Sequence, residues 1–317
     1  MEERFGGMTR EEAYRELSVR MPGRVFLREP MDRHTSMGVG GAADCLAFPR
    51  GIEEVRDTAV FLLREGIPFL PLGNGTNLIV RERGYRGVFL SLRDLDGMEL
   101  GEEGGMPVLT AGAGAALSRA VRFTVANALE GLEFCAGIPG TVGGAIRMNA
   151  GAWGVEIKDV LRSLRFLNGS ATVRTEVRER LPFRYRALDL PAGTVILEGD
   201  FSLARGDERA VRERVEGFLE RRRQRHPLEH PSAGSIFRNP PEGPAGLLID
   251  RAGLKGLRVG GAAVSEKHGN FIVNDGGAGA EDVIALMRLV RERVSRETGI
   301  LLEPEVKIVG EDGWEPL

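Results

Sequence analysis

The sequence predicts an α+β or α/β protein with more than one part, and three observations carry that expectation. Segments with apolar residues at helical spacing alternate with short apolar runs bounded by glycine through the first two-thirds of the chain. The texture then changes beside a long charged segment that ends at Pro227. The chain is also large enough: 317 residues, 42% hydrophobic with a net charge of -3, allow about two domains and argue against disorder.

The elements follow in order. Glu11 to Val19 predicts a short leading helix. Arg33 to Asp44 is polar and carries Gly38, Gly40 and Gly41, so it reads as a loop. Ile52, Val55, Ala59, Leu62 and Leu63 recur at helical spacing, and Gly66 supplies a stop. Ile67 to Leu72 predicts a buried strand that enters the tight loop Gly73-Asn74-Gly75-Thr76-Asn77 and leaves as Leu78-Ile79-Val80. Gly87 to Leu92 and Val108 to Ala111 are further strands. Leu117, Val121, Val125 and Ala128 mark a second amphipathic helix, closed by Gly131. Ala136 to Gly154 is a long glycine-rich stretch. Strands follow near Leu164–Leu167 and Gly193–Leu197, then a charged helix over Arg205 to Arg225. Pro227 to Pro244 is polar and proline-rich, hence a loop. Strands are expected around Ala262–Val264 and Phe271–Val273. A last helix carries Val283, Leu286, Met287, Val290 and Val294 and ends at Gly299. No repeat of solenoid length is present.

Several function classes fall away. The chain has 46 Asp+Glu against 43 Lys+Arg, the wrong balance for a nucleic-acid binder. Only Lys158, Lys255, Lys267 and Lys307 are lysine; the other 39 cationic side chains are arginine, which reads as a lineage preference. No apolar run reaches the ~18 residues of a membrane helix, and Met1 to Arg20 lacks the apolar core of a signal peptide. Cys45 and Cys135 are isolated, and four scattered histidines show no H-E-x-x-H, so neither a disulfide framework nor a metal site is expected. These features point to a soluble protein of a reducing, cytoplasmic compartment.

What needs explaining is glycine: 44 residues, about twice the usual share. Glycine lets the backbone approach a ligand closely, and successive bare N–H groups form anion-binding concavities. Two stretches fit, Gly73 to Asn77 and Gly137-Ile138-Pro139-Gly140-Thr141-Val142-Gly143-Gly144. Two such loops, each between apolar segments, favour a nucleotide-type phosphate ligand over simple turns. The chain has no G-x-x-x-x-G-K-[ST], and Gly73 and Gly112 do not open a G-x-G-x-x-G. Neither a P-loop nor a Rossmann fingerprint is supported. Gly101, Gly104 and Gly105 are assigned to turns and lineage bias.

At these residues the chain resembles the UDP-N-acetylenolpyruvoylglucosamine reductases, flavoenzymes of bacterial peptidoglycan precursor synthesis. The match runs through Thr35 to Gly41, Gly73 to Val80, Ala136 to Ala145, Met148-Asn149-Ala150-Gly151-Ala152-Trp153-Gly154 and Phe183 to Arg186. It continues through Pro231-Ser232-Ala233-Gly234-Ser235-Ile236-Phe237-Arg238-Asn239-Pro240, Lys267 to Asn274 and Leu302-Glu303-Pro304-Glu305-Val306. Each segment alone is weak; their order and spacing together are specific.

The resemblance selects α+β and implies an FAD-binding region of the PCMH, or vanillyl-alcohol-oxidase, type over residues 1–206, in subdomains of about 1–80 and 81–206. It implies a substrate domain over 207–307 and a tail over 308–317. The implied reaction is NADPH-dependent, FAD-mediated reduction of UDP-N-acetylglucosamine enolpyruvate to UDP-N-acetylmuramate, with non-covalent FAD, by a cytoplasmic monomer without nucleic-acid or membrane partners. By motif, Ser235 is the general acid and Arg186 and Glu305 complete the catalytic set. Gly73, Asn74, Gly75, Thr76, Asn77, Gly137, Ile138, Pro139, Gly140, Thr141, Gly143 and Gly144 hold the cofactor. Arg225, Asn239 and His268 face the substrate. Taken alone, Arg186 reads as a surface charge, Ser235 as a turn residue and His268 as a structural histidine. The 49 residues from Arg186 to Ser235 look like the subclass without an extra substrate-capping loop. Gly38 and Leu188 depart from residues frequent in the family. Another FAD oxidase of the superfamily, or an inactive homologue, stays open at this point.

Overall fold

The computed structural model describes Arg4, Phe5 and residues 8–317. The chain forms two compact units, neither continuous in sequence. The first takes the residues up to Leu27, Cys45–Asn74 and Val88–Arg221; the second takes Arg28–Asp44, Gly75–Gly87 and Arg222–Leu317. Each has its own apolar core.

In the first unit, helix α1 (Arg10–Arg20) starts where the sequence Thr-x-x-Glu dictates. The Thr9 hydroxyl accepts from the Glu12 N–H at 3.2 Å, and the Glu12 carboxylate accepts from the Thr9 N–H at 2.8 Å. Helices α2 (Gly51–Arg64) and α3 (Leu117–Ala126) bury one apolar face each, Val55, Ala59 and Leu62 on α2 and Leu117, Ala120 and Val121 on α3. They pack into one core with a five-stranded antiparallel sheet, in the order Val173–Val177, Leu161–Leu167, Val195–Ser202, Met106–Gly112, Met98–Glu103. The last two strands are joined by Gly104 and Gly105, at φ 60° and 79°. That is the double left-handed pair a two-residue hairpin needs, so these glycines are turn chemistry. Met98–Glu103 escapes a pattern reading because it is largely exposed and carries three glutamates, leaving no apolar period to see. Within the glycine-rich stretch lies a short helix, α4 (Val142–Arg147). The charged helix α5 (Glu208–Arg225) buries only Val211 fully.

The second unit holds an antiparallel sheet in the order Ser232–Ser235, Phe271–Asn274, Ala262–Val264, Arg258–Val259. Helices α6 (Ala245–Arg251) and α7 (Ala280–Thr298) share its core. α7 ends on Gly299 in the left-handed conformation, φ 73°. The segment after residue 306 folds: Lys307–Gly310 pairs in parallel with Leu78–Val80 and antiparallel with Gly313–Glu315. The polar stretch Pro227 to Pro244, expected as a loop, contains the strand Ser232–Ser235. Its small polar residues carry no strand propensity, and its pairing with Phe271–Asn274 decides the matter. Among the described residues, no helix is long and apolar enough to cross a membrane, and no three His, Cys, Asp or Glu side chains gather to hold a metal ion. Cys45 and Cys135 are both buried.

Candidate active site

Ser235 owes its presentation to one irregularity. Ser232 pairs with Val273 and Ser235 with Phe271, so three steps along one strand answer two along the other. The extra residue is a β-bulge, and Gly234 within it takes φ 74°. Bulges of this kind bend a strand and re-aim the next side chain, here into a cavity of about 270 Å³. Asn239, Lys255, Lys267, His268 and Asn270 line the same cavity.

The residues beyond Ser235 are fixed by Asn270. Its side-chain oxygen accepts from the Phe237 N–H at 2.9 Å, its amide donates to the Phe237 carbonyl at 2.7 Å, and its backbone carbonyl accepts from the Ile236 N–H at 2.9 Å. Glu305 is brought alongside. Its N–H donates to the Ile236 carbonyl at 2.8 Å, and Phe237 bridges to Pro304. The Asn77 amide donates to the Glu305 carbonyl at 3.2 Å, while the Asn77 carbonyl accepts from the Lys307 N–H at 3.0 Å. Ser235 and Glu305, 70 positions apart in the sequence, thus lie on neighbouring backbones.

The cavity's charge comes from two lysines and Asp250, whose carboxylate pairs with Lys255 at 2.9 Å. The Lys267 ammonium donates to the Arg223 carbonyl at 2.8 Å. The His268 Nδ1 accepts from the Asn270 N–H at 3.1 Å, so a neutral ring carries its proton on Nε2. Burial, helped by Lys255, pushes His268 below the ordinary histidine range and keeps it neutral. Asn239 uses its oxygen to accept from the Ala245 N–H at 2.9 Å, at the start of α6. The cavity therefore offers donors and net positive charge, which suits an anionic ligand.

Arg186 and the second glycine loop belong to the other unit. Phe183–Arg184 and Ala187–Leu188 form a tiny hairpin whose two loop residues are Tyr185 and Arg186. Arg186 takes φ 55°, a region that usually calls for Gly or Asn. Holding a long side chain there costs on the order of 1 kcal/mol. Strain of this kind persists only where surroundings enforce it. In the glycine loops, Thr141 caps α4, its hydroxyl accepting from the Gly144 N–H at 3.3 Å. A Cβ on Gly73 would sit 2.7 Å from that same hydroxyl oxygen, and one on Gly143 would sit 2.7 Å from the Ala113 Cβ. So Gly73 and Thr141 bring the two loops against each other, and Gly143 permits close packing of α4. Gly137 and Pro139 are exposed, and Gly137 and Gly140 take φ 73° and 124°. The result is a bare backbone cradle, which fits the phosphates and flat ring system of a dinucleotide.

The sequence profile of an FAD binding domain matches residues 43–176, and that of the UDP-N-acetylenolpyruvoylglucosamine reductase C-terminal domain matches residues 226–309. A UDP-N-acetylenolpyruvoylglucosamine reductase of Syntrophus aciditrophicus (strain SB) is 49% identical over 292 residues, which is 92% of this chain and 94% of the relative. The chain belongs to the UDP-N-acetylenolpyruvoylglucosamine reductase family. The enzyme of that name from Pelobacter propionicus (strain DSM 2379 / NBRC 103807 / OttBd1) is 45% identical over 92% of this chain and 98% of its own. A solved structure, the UDP-N-acetylenolpyruvylglucosamine reductase from Thermus caldophilus, superposes with a TM-score of 0.76 at 34% identity, covering 90% of this chain and 98% of that one. Both glycine loops lie inside the span of the FAD binding profile, and Ser235 and Glu305 lie inside the C-terminal one.

Of the residues the family motifs single out, Ser235, Asn239 and His268 line one cavity and Glu305 is bonded through its backbone to Ile236, the residue after Ser235, while Arg225 is exposed and does not line the cavity. Lys255 and Lys267 line it instead. Rarity was the available signal: two of only four lysines, in a chain with 39 arginines, line this cavity. His226 carried no motif, yet its ring lies 5.5 Å from that of His268 and 4.9 Å from Phe271. The two departures have structural reasons. Gly38 takes φ 67° in a turn closed by its N–H on the Thr35 carbonyl, and Leu188 is buried in the core.

Proposed function

We propose that the chain reduces the enolpyruvyl double bond of UDP-N-acetylglucosamine enolpyruvate to give UDP-N-acetylmuramate, with NADPH as the hydride donor. Bound FAD supplies the two-electron carrier between NADPH and the substrate. The loops Gly73 to Asn77 and Gly137 to Gly144 would hold it. The observation that carries the reading is the cavity in which a bulge presents Ser235 beside Asn239, His268, Lys255 and Lys267. Along the chain, residues 1–206 serve the cofactor and 207–307 the substrate.

The chemistry assigns a task to each group. Once hydride has reached one carbon of the double bond, the electron pair left on the other carbon spreads into the adjoining carboxylate. Arg186 offsets that charge through parallel N–H donors, an interaction stronger in the transition state than in the ground state. Ser235 gives its hydroxyl proton to the carbon, ending the step. Glu305, held against Ile236, orients that end of the site. Lys255 and Lys267 meet the substrate's phosphates, and neutral His268 donates through Nε2.

An anaerobic titration tests this in two stages. NADPH should bleach the yellow protein, and UDP-N-acetylglucosamine enolpyruvate should restore the colour. A flavin that NADPH leaves unbleached ends the reductase reading. In Ser235→Ala the bleaching should persist while product formation nearly disappears; turnover at the wild-type rate would remove Ser235 from its role. The same reading has the enzyme acting as a cytoplasmic monomer, and light scattering of the FAD-loaded protein showing a dimer would end that part.

A further inference from the structure

We infer that Asn149 is a positioning residue for Arg186, acting through the strained hairpin that presents it. This rests on the catalytic reading of Arg186. Asn149 is fully buried, with no exposed surface, and its backbone sits in the left-handed region at φ 41°. Its amide is committed on every side. The Nδ2 group donates to the Glu156 carboxylate at 3.0 Å and to the Arg184 carbonyl at 3.0 Å, and Oδ1 accepts from the Lys158 N–H at 3.1 Å. Arg184 is the last residue before the two-residue loop that carries Arg186. A rigid, saturated amide thus grips the base of that loop.

A second contact reaches the guanidinium itself. Gly151 lies two residues beyond Asn149, and a Cβ there would come within 3.0 Å of the Arg186 Nη1 and 2.8 Å of the Glu156 Cγ. Arg186 therefore lies against the bare backbone of Gly151, in the hairpin Gly151–Ala152 and Val155–Glu156 that also delivers Glu156 to Asn149. The turn of that hairpin, Trp153-Gly154, takes φ 59° and 86°, and Trp153 stacks on Phe218 of α5 at 5.4 Å and 13°. Asn149, Trp153 and Arg186 are three of the six non-glycine residues with positive φ among those described. Left-handed backbone gathers where one arginine must be held, and the Asn149 amide ties the two hairpins together.

The test uses the FAD-loaded enzyme and two variants. Asn149→Gly keeps the backbone free to stay left-handed and deletes the amide; Asn149→Asp keeps the shape and the acceptor and deletes the donor. Each should leave flavin reduction by NADPH unchanged and slow reoxidation by UDP-N-acetylglucosamine enolpyruvate on the order of 100-fold. The loss should fall on kcat, with KM within about threefold. In an Arg186→Ala background, Asn149→Gly should add less than about threefold, because both changes remove the same interaction. Should Asn149→Gly fail to fold, Asn149→Asp carries the same comparison. Variants within twofold of wild type, or an Asn149→Gly effect that multiplies in full onto Arg186→Ala, overturn the inference. Wild-type turnover by Arg186→Ala alone overturns instead the catalytic reading of Arg186.

Discussion

Asn270→Ala makes the sharpest demand on the reasoning about the Ser235 cavity. Asn270 is 3% exposed and Phe237 is 1% exposed. Deleting the amide leaves the Phe237 N–H, now bonded at 2.9 Å, and the Phe237 carbonyl, bonded at 2.7 Å, without partners inside the unit. Each buried orphan costs about 1–3 kcal/mol. Water entering from the cavity that Asn270 lines would recover part of this, so the expected loss is about 3 kcal/mol. With a urea dependence of about 2 kcal/mol per molar for a unit of this size, the midpoint should fall by about 1.5 M. Trp314 belongs to the same unit and Trp153 to the other, so Trp314 fluorescence in a Trp153→Phe background reads the right transition. Asn270→Asp keeps the acceptor and loses the donor, and should lie between Asn270→Ala and the parent. A midpoint shift below about 0.3 M for Asn270→Ala would refute the view that this amide holds the strand end behind Ser235.

Three further outcomes are expected. Burial and the nearby positive charges of Arg222, Lys267 and Arg225 lower the pKa of His226 to about 4. A histidine depressed in the fold stabilises above its unfolded pKa of about 6.5 and loses that contribution as pH falls toward 4. Thermal midpoints should therefore drop more steeply from pH 7 to pH 4.5 in the wild type than in His226→Gln; parallel curves would refute the burial argument. Lys267→Met should raise KM for the UDP substrate about 10- to 100-fold, the loss of a charge-assisted contact, and an unchanged KM in steady-state assays would remove Lys267 from the phosphates. Asn77→Ala deletes the 3.2 Å bond to the Glu305 carbonyl. It should slow flavin reoxidation about fivefold and, because Asn77 belongs to the loop assigned to FAD, lose part of its flavin on gel filtration; full flavin content together with reoxidation at the wild-type rate would remove Asn77 from both roles.

Much of this protein is local and was legible from residues alone. The apolar faces of α2, α3 and α7 and Gly299 at the end of α7 follow from spacing and backbone preference. So did the two glycine loops, the absence of P-loop and Rossmann fingerprints, and the ordered motifs that pointed to the family. Tertiary structure decided what depends on a distant partner. Leu78–Val80 finds its parallel neighbour at Lys307–Gly310, more than two hundred residues on, and no periodicity encodes which strand edges meet. A run of small polar residues became a bulged strand because Phe271–Asn274 offered it an edge. Arg225 reads like its helix neighbours in sequence, and only the fold leaves it exposed while two rare lysines line the cavity. Asn77, Asn149 and Asn270 look alike in a sequence; their weight comes from which buried carbonyl or N–H each amide meets, and that is settled only when separate segments close around them.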